Sequence, residues 1–127
     1  MRRTIRSVLE GVVLRYALLA YSNVDVREQR PEAERRRIDA GIADVLARPN
    51  VTGWLRLQDI ESATTVRQER GRTLLTDGPF VDSKEYLGGL IVIEAANLDE
   101  ALALAAEFQS LMRSFGVIEV RPILETG

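Results

Sequence analysis

The sequence predicts an α+β fold in which an antiparallel sheet carries two helices on one of its faces. Three observations lead to this prediction. The elements follow the order strand, helix, strand, strand (with one extra short strand), helix, strand. Two strand segments are apolar on both alternating faces, as strands in the centre of a sheet are. The second helix carries its apolar residues along one side, as a helix packed on a sheet does.

The first half of the chain contains a strand, a helix and a second strand. The compact apolar run 14–21 predicts the first strand. Pro31 is expected to begin the helix, because a proline at the first helical position loses no hydrogen bond. Apolar residues recur at helical spacing over 31–48, so the helix extends to that point. The segment 51–57 predicts the second strand.

Three further strand segments follow before the second helix. Residues 63–68 are rich in β-branched side chains and predict a strand, and Gly71 permits a turn into a short strand at 73–76. The segment 86–95 is almost entirely apolar and predicts a long buried strand.

The second helix has clear signals at both ends. Asn97 is expected to cap it, with Glu100 three residues later in the capping-box relation. Its apolar stripe consists of Ala101, Leu104, Ala105, Phe108, Leu111, Met112 and Phe115. Gly116 is expected to end the helix, and the alternating residues 117–123 predict the last strand.

This order of elements is that of the ferredoxin-like βαββαβ fold, an antiparallel sheet with two helices on one face. In that topology the strands at 14–21 and 86–95 lie in the centre of the sheet. Because both are apolar on both faces, both faces need cover, and two helices cover only one. We expect the second face to pack against the same face of another copy, which gives a homodimer. The alternative is that residues 1–13 and 58–85 cover it within one chain.

The composition excludes several classes of chemistry. The chain has 127 residues, which suits one domain, here residues 14–127 after an N-terminal extension of residues 1–13. It contains no cysteine and no histidine. Disulfides, thiolate nucleophiles, cysteine zinc sites and imidazole acid–base catalysis are therefore excluded. We predict no cofactor.

The charge pattern argues against nucleic-acid and membrane partners. The formal net charge is -2, and the arginines of residues 27–37 are interleaved with glutamates. Such mixing is typical of a solvated helix face. No run approaches the roughly 18 apolar residues of a membrane span. Glu10 interrupts the apolar run after the basic N-terminus, so we predict no export signal and expect the protein in the cytoplasm.

One segment, residues 76–89, concentrates polar and turn-forming residues between two strands. Asp77-Gly78-Pro79 has the composition of a tight turn with Phe80 tucked into the core; the alternative is a site with Phe80 as an apolar wall. Lys84 is the only lysine among 17 basic residues, and an ammonium can act as a point charge or form a Schiff base. Gly88-Gly89 inside a strand indicates a bulge or a close approach by a backbone or a ligand.

The tyrosines and the tryptophan have structural interpretations. Tyr16 and Tyr21 have opposite strand parity, so at most one of them faces a cleft. Trp54 in the second strand is expected to fill the core or a dimer interface.

These residues resemble the signature of the DGPF proteins of the YCII-related family. The matching residues are Asp77-Gly78-Pro79-Phe80, Lys84-Glu85 and Leu87-Gly88-Gly89, and the resemblance extends over residues 14–123. It implies a dimeric α/β barrel of ferredoxin-like topology, with a cleft where the sheet, the motif loop and the partner chain meet. Family members commonly place a histidine in the first helix. Here Asp39 or a neighbour occupies that region.

Four functions stay open at this point. The first is small-molecule binding, which the resemblance links to sigma-factor signalling. The second is a lyase or isomerase for a small carboxylated or phenolic substrate, with Asp77 as its catalytic acid/base. The third is a scaffold that binds a partner through the arginines at 35–37, and the fourth is magnesium or calcium binding by Asp77, Asp82 and Glu85, whose spacing matches no calcium loop. The predicted ligand-binding residues are Tyr16, Phe80, Ser83, Lys84, Gly88 and Gly89.

Overall fold

A computed structural model describes residues 13–81, 83–113 and 116–127. The described chain forms a four-stranded sheet with helices on one face and a separate two-stranded hairpin. In chain order the elements are β1 (Leu14–Ser22), α1 (Val24–Glu28), α2 (Glu32–Leu46), β2 (Val51–Arg56), a 3-10 turn (Ile60–Ser62), β3 (Thr64–Glu69), β4 (Arg72–Asp77), β5 (Tyr86–Ala95), α3 (Leu98–Met112) and β6 (Gly116–Pro122).

The main sheet has the strand order β2-β5-β1-β6, and each neighbouring pair is antiparallel. This is the ferredoxin-like arrangement, so the predicted α+β fold class is confirmed, and β1 and β5 occupy the predicted central positions. The strands β3 and β4 pair with each other and form a hairpin inserted between β2 and β5.

The core lies between the sheet and the two long helices. Alternate residues of the central strands, such as Leu18 and Ile93, point to this side and are fully buried. The helix α2 contributes Ile38 and Val45. From α3 come the buried members of the predicted stripe, which are Ala101, Leu104, Ala105, Phe108 and Met112. The stripe is thus confirmed as a packing face, and Phe115 lies outside the described residues.

The cap of α3 follows its prediction closely. The Asn97 side chain accepts a hydrogen bond from the Glu100 backbone N–H at 2.9 Å. In return the Glu100 carboxylate accepts from the Ala96 backbone N–H at 3.3 Å, one residue before the position a capping box uses. Both ends of this interaction satisfy backbone donors that have no partner inside the helix.

Two local features of the structure differ from the sequence prediction. The short helix α1 was not predicted; it begins after Asn23, whose side chain accepts from the Val26 backbone N–H at 3.2 Å. Gly116 does not end α3. The helix ends at Met112, Arg113 takes a φ of 53°, and Gly116 is the buried first residue of β6. A Cβ at Gly116 would meet the Met112 side chain and the Tyr21 carbonyl, so close packing explains the glycine.

An ion pair joins the end of α2 to α3. The Arg48 guanidinium donates two hydrogen bonds to the Glu107 carboxylate. These bonds favour the ionised carboxylate and lower the pKa of Glu107 below its usual value. The contact links the segment directly after α2 to α3 at an exposed position. Among the described helices, none has the length and apolar character needed to cross a bilayer.

Candidate functional site

A cavity of about 450 Å³ lies between α2 and the end of the sheet formed by β2 and β5. One wall comes from α2, the opposite wall from β1, β2 and β5, and α3 closes the inner end. The lining residues are Ala20, Ser22, Asp39, Ile42, Ala43, Leu46, Ala47, Trp54, Leu55, Arg56, Gly88, Gly89, Leu90, Ile91, Phe108 and Met112. Its size and its predominantly apolar walls are typical of small-molecule sites.

Small residues on facing elements create this cavity. Ala43 lies on α2 and Ala47 directly follows this helix, and Gly88 and Gly89 of β5 line the same cavity. The backbones of β2 and β5 come close at Gly89: a Cβ added there would lie 2.9 Å from the Leu55 carbonyl oxygen. The β1–β5 register shifts beside Gly88, which is left out of the ladder. The bulge and the close backbone approach predicted from Gly88-Gly89 are both present.

Three polar side chains line the cavity, and they belong to Ser22, Asp39 and Arg56. Asp39 already interacts with another group of the described chain. Arg56 is exposed, and no carboxylate of the described residues forms an ion pair with it. The cavity therefore combines apolar walls with one guanidinium that has no counter-ion in the part of the chain that the structure describes.

Trp54 and Arg56 lie on the same face of β2, because side chains two residues apart on a strand point to the same side. Trp54 is paired with Ile91 and Arg56 with Gly89, and both partners belong to the helix-covered face. Trp54 is 54% exposed. The prediction that it fills the core is therefore wrong; its indole forms part of the cavity rim.

The structure brings only two of the predicted ligand-binding residues into the cavity, Gly88 and Gly89. Tyr16 is buried in the core of the sheet. The other predicted site residues, Asp77, Phe80, Ser83 and Lys84, are exposed and do not line the cavity. Whether these residues act on a ligand stays a prediction.

The chain bends at Gly78, directly after β4, where the composition indicates a turn. Asp77 is the last residue of β4, opposite Thr64. Gly78 has a φ of 105°, and its N–H donates to the Ala63 carbonyl at 2.8 Å. The Gly78 carbonyl accepts from the Thr65 hydroxyl at 2.8 Å. The positive φ explains the glycine, because side chains disfavour this backbone conformation.

Phe80 is not tucked into the core, as the turn interpretation expected. The ring is 70% exposed and does not line the cavity, and its role as the apolar wall of a site in the motif segment stays a prediction. The ring lies under the Arg67 guanidinium, whose central carbon is 4.9 Å from the ring centroid. That distance is within the range of a cation–π interaction, which the hairpin supplies without any core contact.

No group of three His, Cys, Asp or Glu side chains within residues 13–81, 83–113 and 116–127 is arranged to hold a metal ion. Asp82, one of the three carboxylates considered for such a site, lies outside the described residues.

The sheet face away from the helices is apolar at its centre. Ala17 pairs with Val92 and Leu19 with Leu90, and all four residues are half-buried. Charged and polar groups border this patch on β6. The Tyr21 hydroxyl of β1 donates a hydrogen bond to the Glu119 carboxylate of β6 at 3.2 Å. Desolvation, and to a smaller extent this hydrogen bond, raises the pKa of Tyr21.

Fold and cavity together define an α+β domain of ferredoxin-like topology with a small-molecule-sized pocket between helix and sheet. Comparison of the sequence with known families then gives the specific assignment. The model of the YCII-related domain matches residues 14–126, so the chain belongs to the YCII-related family. A relative from Rhizobium meliloti, described as an uncharacterized protein, is 35% identical over 112 residues, which is 85% of this chain and 90% of that protein.

Proposed function

We propose that this protein binds a small molecule in the cavity between α2 and the β2–β5 end of the sheet. The observation that carries the proposal is the cavity itself, with a volume of about 450 Å³ and mostly apolar walls. Small-molecule sites of proteins fall in this range of size and combine apolar walls with a few polar groups. Ser22, Asp39 and Arg56 supply the polar groups.

A substitution that fills the cavity tests the proposal. In Ala43→Phe the new ring would occupy the space beside α2, where Ala43 lines the cavity. The matched control is Ala33→Phe, which places the same ring on an exposed position of α2 away from the cavity. Both variants keep Trp54, the single tryptophan of the chain, whose fluorescence reports on the cavity rim.

The measurement is a screen of aromatic acids and lactones by thermal shift and Trp54 fluorescence. A compound that binds the native state raises the melting temperature in a concentration-dependent way. We expect hits with the wild type and Ala33→Phe and at least about tenfold weaker binding with Ala43→Phe, because the filled space excludes the ligand. Hits that bind Ala43→Phe as tightly as the wild type would contradict the proposal.

We also propose that two copies pair through the helix-free face of the sheet. Support comes from the apolar centre of that face and from Leu55 and Val117 beside it, each 47% exposed. In a two-fold interface the same patch meets itself, so an added charge meets its own copy. Leu90→Glu should therefore give a monomer, whereas Leu102→Glu on the exposed side of α3 should not. Sedimentation velocity at micromolar concentration measures this, and a monomeric wild type would refute the pairing.

The lyase or isomerase alternative needs the Asp77 carboxylate beside a bound substrate. Asp77 is exposed at the end of the hairpin and is not part of the cavity lining. The proposed function is accordingly binding without an assigned turnover, and the sigma-factor link rests on the family resemblance.

A further inference from the structure

We propose that the ligand is an apolar molecule with one anionic group, preferably a carboxylate, and that Arg56 binds this group at the cavity rim. The inference rests on the proposed binding function and adds the chemical class of the ligand and the residue that selects it.

The first argument is the pairing of the arginines. Arg30, Arg35 and Arg48 each form a hydrogen-bonded ion pair with a glutamate of the same chain. Other arginines of the described chain form no ion pair, but they lie outside the cavity; they include Arg37, Arg70, Arg72 and Arg121. Arg56 lines the cavity, and no such partner is found for it in the described part of the chain. A guanidinium presents a planar set of donors that fits a carboxylate through two parallel hydrogen bonds. Arg56 is thus the group at this site that is able to accept an external anion.

The second argument is the setting of that guanidinium. Apart from Asp39, the residues that line the cavity together with Arg56 carry no charge. A ligand bound against these apolar walls would displace water from beside the exposed guanidinium, and a charge pair that is shielded from water is stronger than one in open solvent. An anion held at the rim would leave its apolar body in contact with the inner walls.

The third argument is Trp54, two residues before Arg56 on the same face of β2. Its indole is 54% exposed and lines the same cavity, so a bound ligand would cover apolar surface that water now contacts. An aromatic ring beside a guanidinium suits a ligand with an apolar or aromatic body and an acidic end. Asp39 is also at the cavity, but it already interacts with another group. Among the residues that line the cavity, the cationic side chain is that of Arg56.

Three probes of the same shape and different charge test the inference. They are 3-phenylpropanoate, its neutral amide 3-phenylpropanamide and the cation 3-phenylpropylammonium. Binding to the full chain is measured by titration of Trp54 fluorescence, with calorimetry as an independent measurement. Because a hydrogen-bonded charge pair is at stake, we expect the carboxylate to bind roughly tenfold more tightly than the amide. The cation should bind more weakly than either.

The variant Arg56→Gln should remove the preference for the carboxylate, so that the carboxylate and the amide bind with equal affinity. The matched control Arg72→Gln removes the same charge from an exposed position of the hairpin and should keep the preference. Arg56→Lys should keep part of it, because an ammonium retains the charge but not the planar donor pair.

The outcomes separate the two proposals. If all three probes bind the wild type equally, or if Arg56→Gln keeps the carboxylate preference, the anion inference is wrong while the binding function stands. If the cation binds best, Asp39 and not Arg56 sets the charge of the ligand, and the inference is also wrong. If no probe binds at millimolar concentration, both this inference and the proposed function are contradicted.

Discussion

The central strands of the main sheet and the β3–β4 hairpin have similar apolar side chains in very different surroundings. Leu18 on β1 is fully buried, whereas Leu75 on β4 is 70% exposed. The strand β1 has a neighbour on each side and helices over one face, while β4 pairs only with β3. A two-stranded hairpin alone has no second layer against which to bury its side chains. An apolar strand pattern therefore predicts a strand, but it does not predict which elements bury the side chains of that strand.

The largest expected effect is on the free energy of unfolding, and it separates the two regions directly. Leu18→Ala would leave a cavity in the core and should lower this free energy by about 3 kcal/mol. Leu75→Ala should change it by less than about 0.5 kcal/mol, because the side chain is mostly in water. Urea denaturation followed by circular dichroism measures both. A large loss of unfolding free energy for Leu75→Ala would contradict this expectation and would mean that another copy covers the hairpin in solution.

A smaller effect is expected where two backbones meet beside the cavity. In Gly89→Ala the added methyl would lie 2.9 Å from the Leu55 carbonyl oxygen, a backbone atom that cannot turn aside. We expect a loss of about 1–3 kcal/mol in the free energy of unfolding. Gly53→Ala on the neighbouring strand is the control, because nothing lies within 4 Å of its added methyl. Equal stability of the two variants would show that β2 and β5 separate easily at this point.

The smallest expected effect concerns the motif segment and ligand binding. Asp77→Asn and Lys84→Gln change exposed side chains outside the cavity lining. If the cavity is the site, each should alter the affinity for 3-phenylpropanoate by no more than about twofold. Titration of Trp54 fluorescence measures this beside Arg56→Gln. A folded Asp77→Asn or Lys84→Gln protein that no longer binds would return the site to the motif segment.

The fold could be predicted from sequence because its signals are local. The segments 14–21 and 86–95 are apolar on both faces, which places them in the centre of a sheet, and Asn97 marks the start of a helix by its own hydrogen bond. The helix α1 has only five residues, too few to show a helical period. Gly116 resembles a helix stop in sequence, but its role depends on Met112 and on β1 across the sheet.

The candidate site was predicted only in part, because it depends on contacts between distant segments. Gly88-Gly89 could be recognised, since glycines inside an apolar strand are unusual. Trp54 and Arg56 look like ordinary strand residues until β2 is paired with β5 and placed under α2. The sequence signal for the cavity was the set of small residues that line it, which are Ala43 of α2, Ala47 directly after α2, and the two glycines of β5. The polar residues of the motif segment instead predicted a site at the end of the β3–β4 hairpin, outside the cavity.

Gly88, the residue that the β1–β5 ladder skips, determines which side chain of β5 lies opposite Ser22. With Gly88 skipped, Leu87 comes opposite Tyr21, on the helix-free side, and Tyr86 comes opposite Ser22. An uninterrupted ladder through the same letters would pair Leu87 with Ser22, and strand alternation would then turn its isobutyl group to the helix side of the sheet. In the observed ladder Tyr86 takes this place, so the skipped glycine decides that an aromatic ring and not an isobutyl group lies beside Ser22.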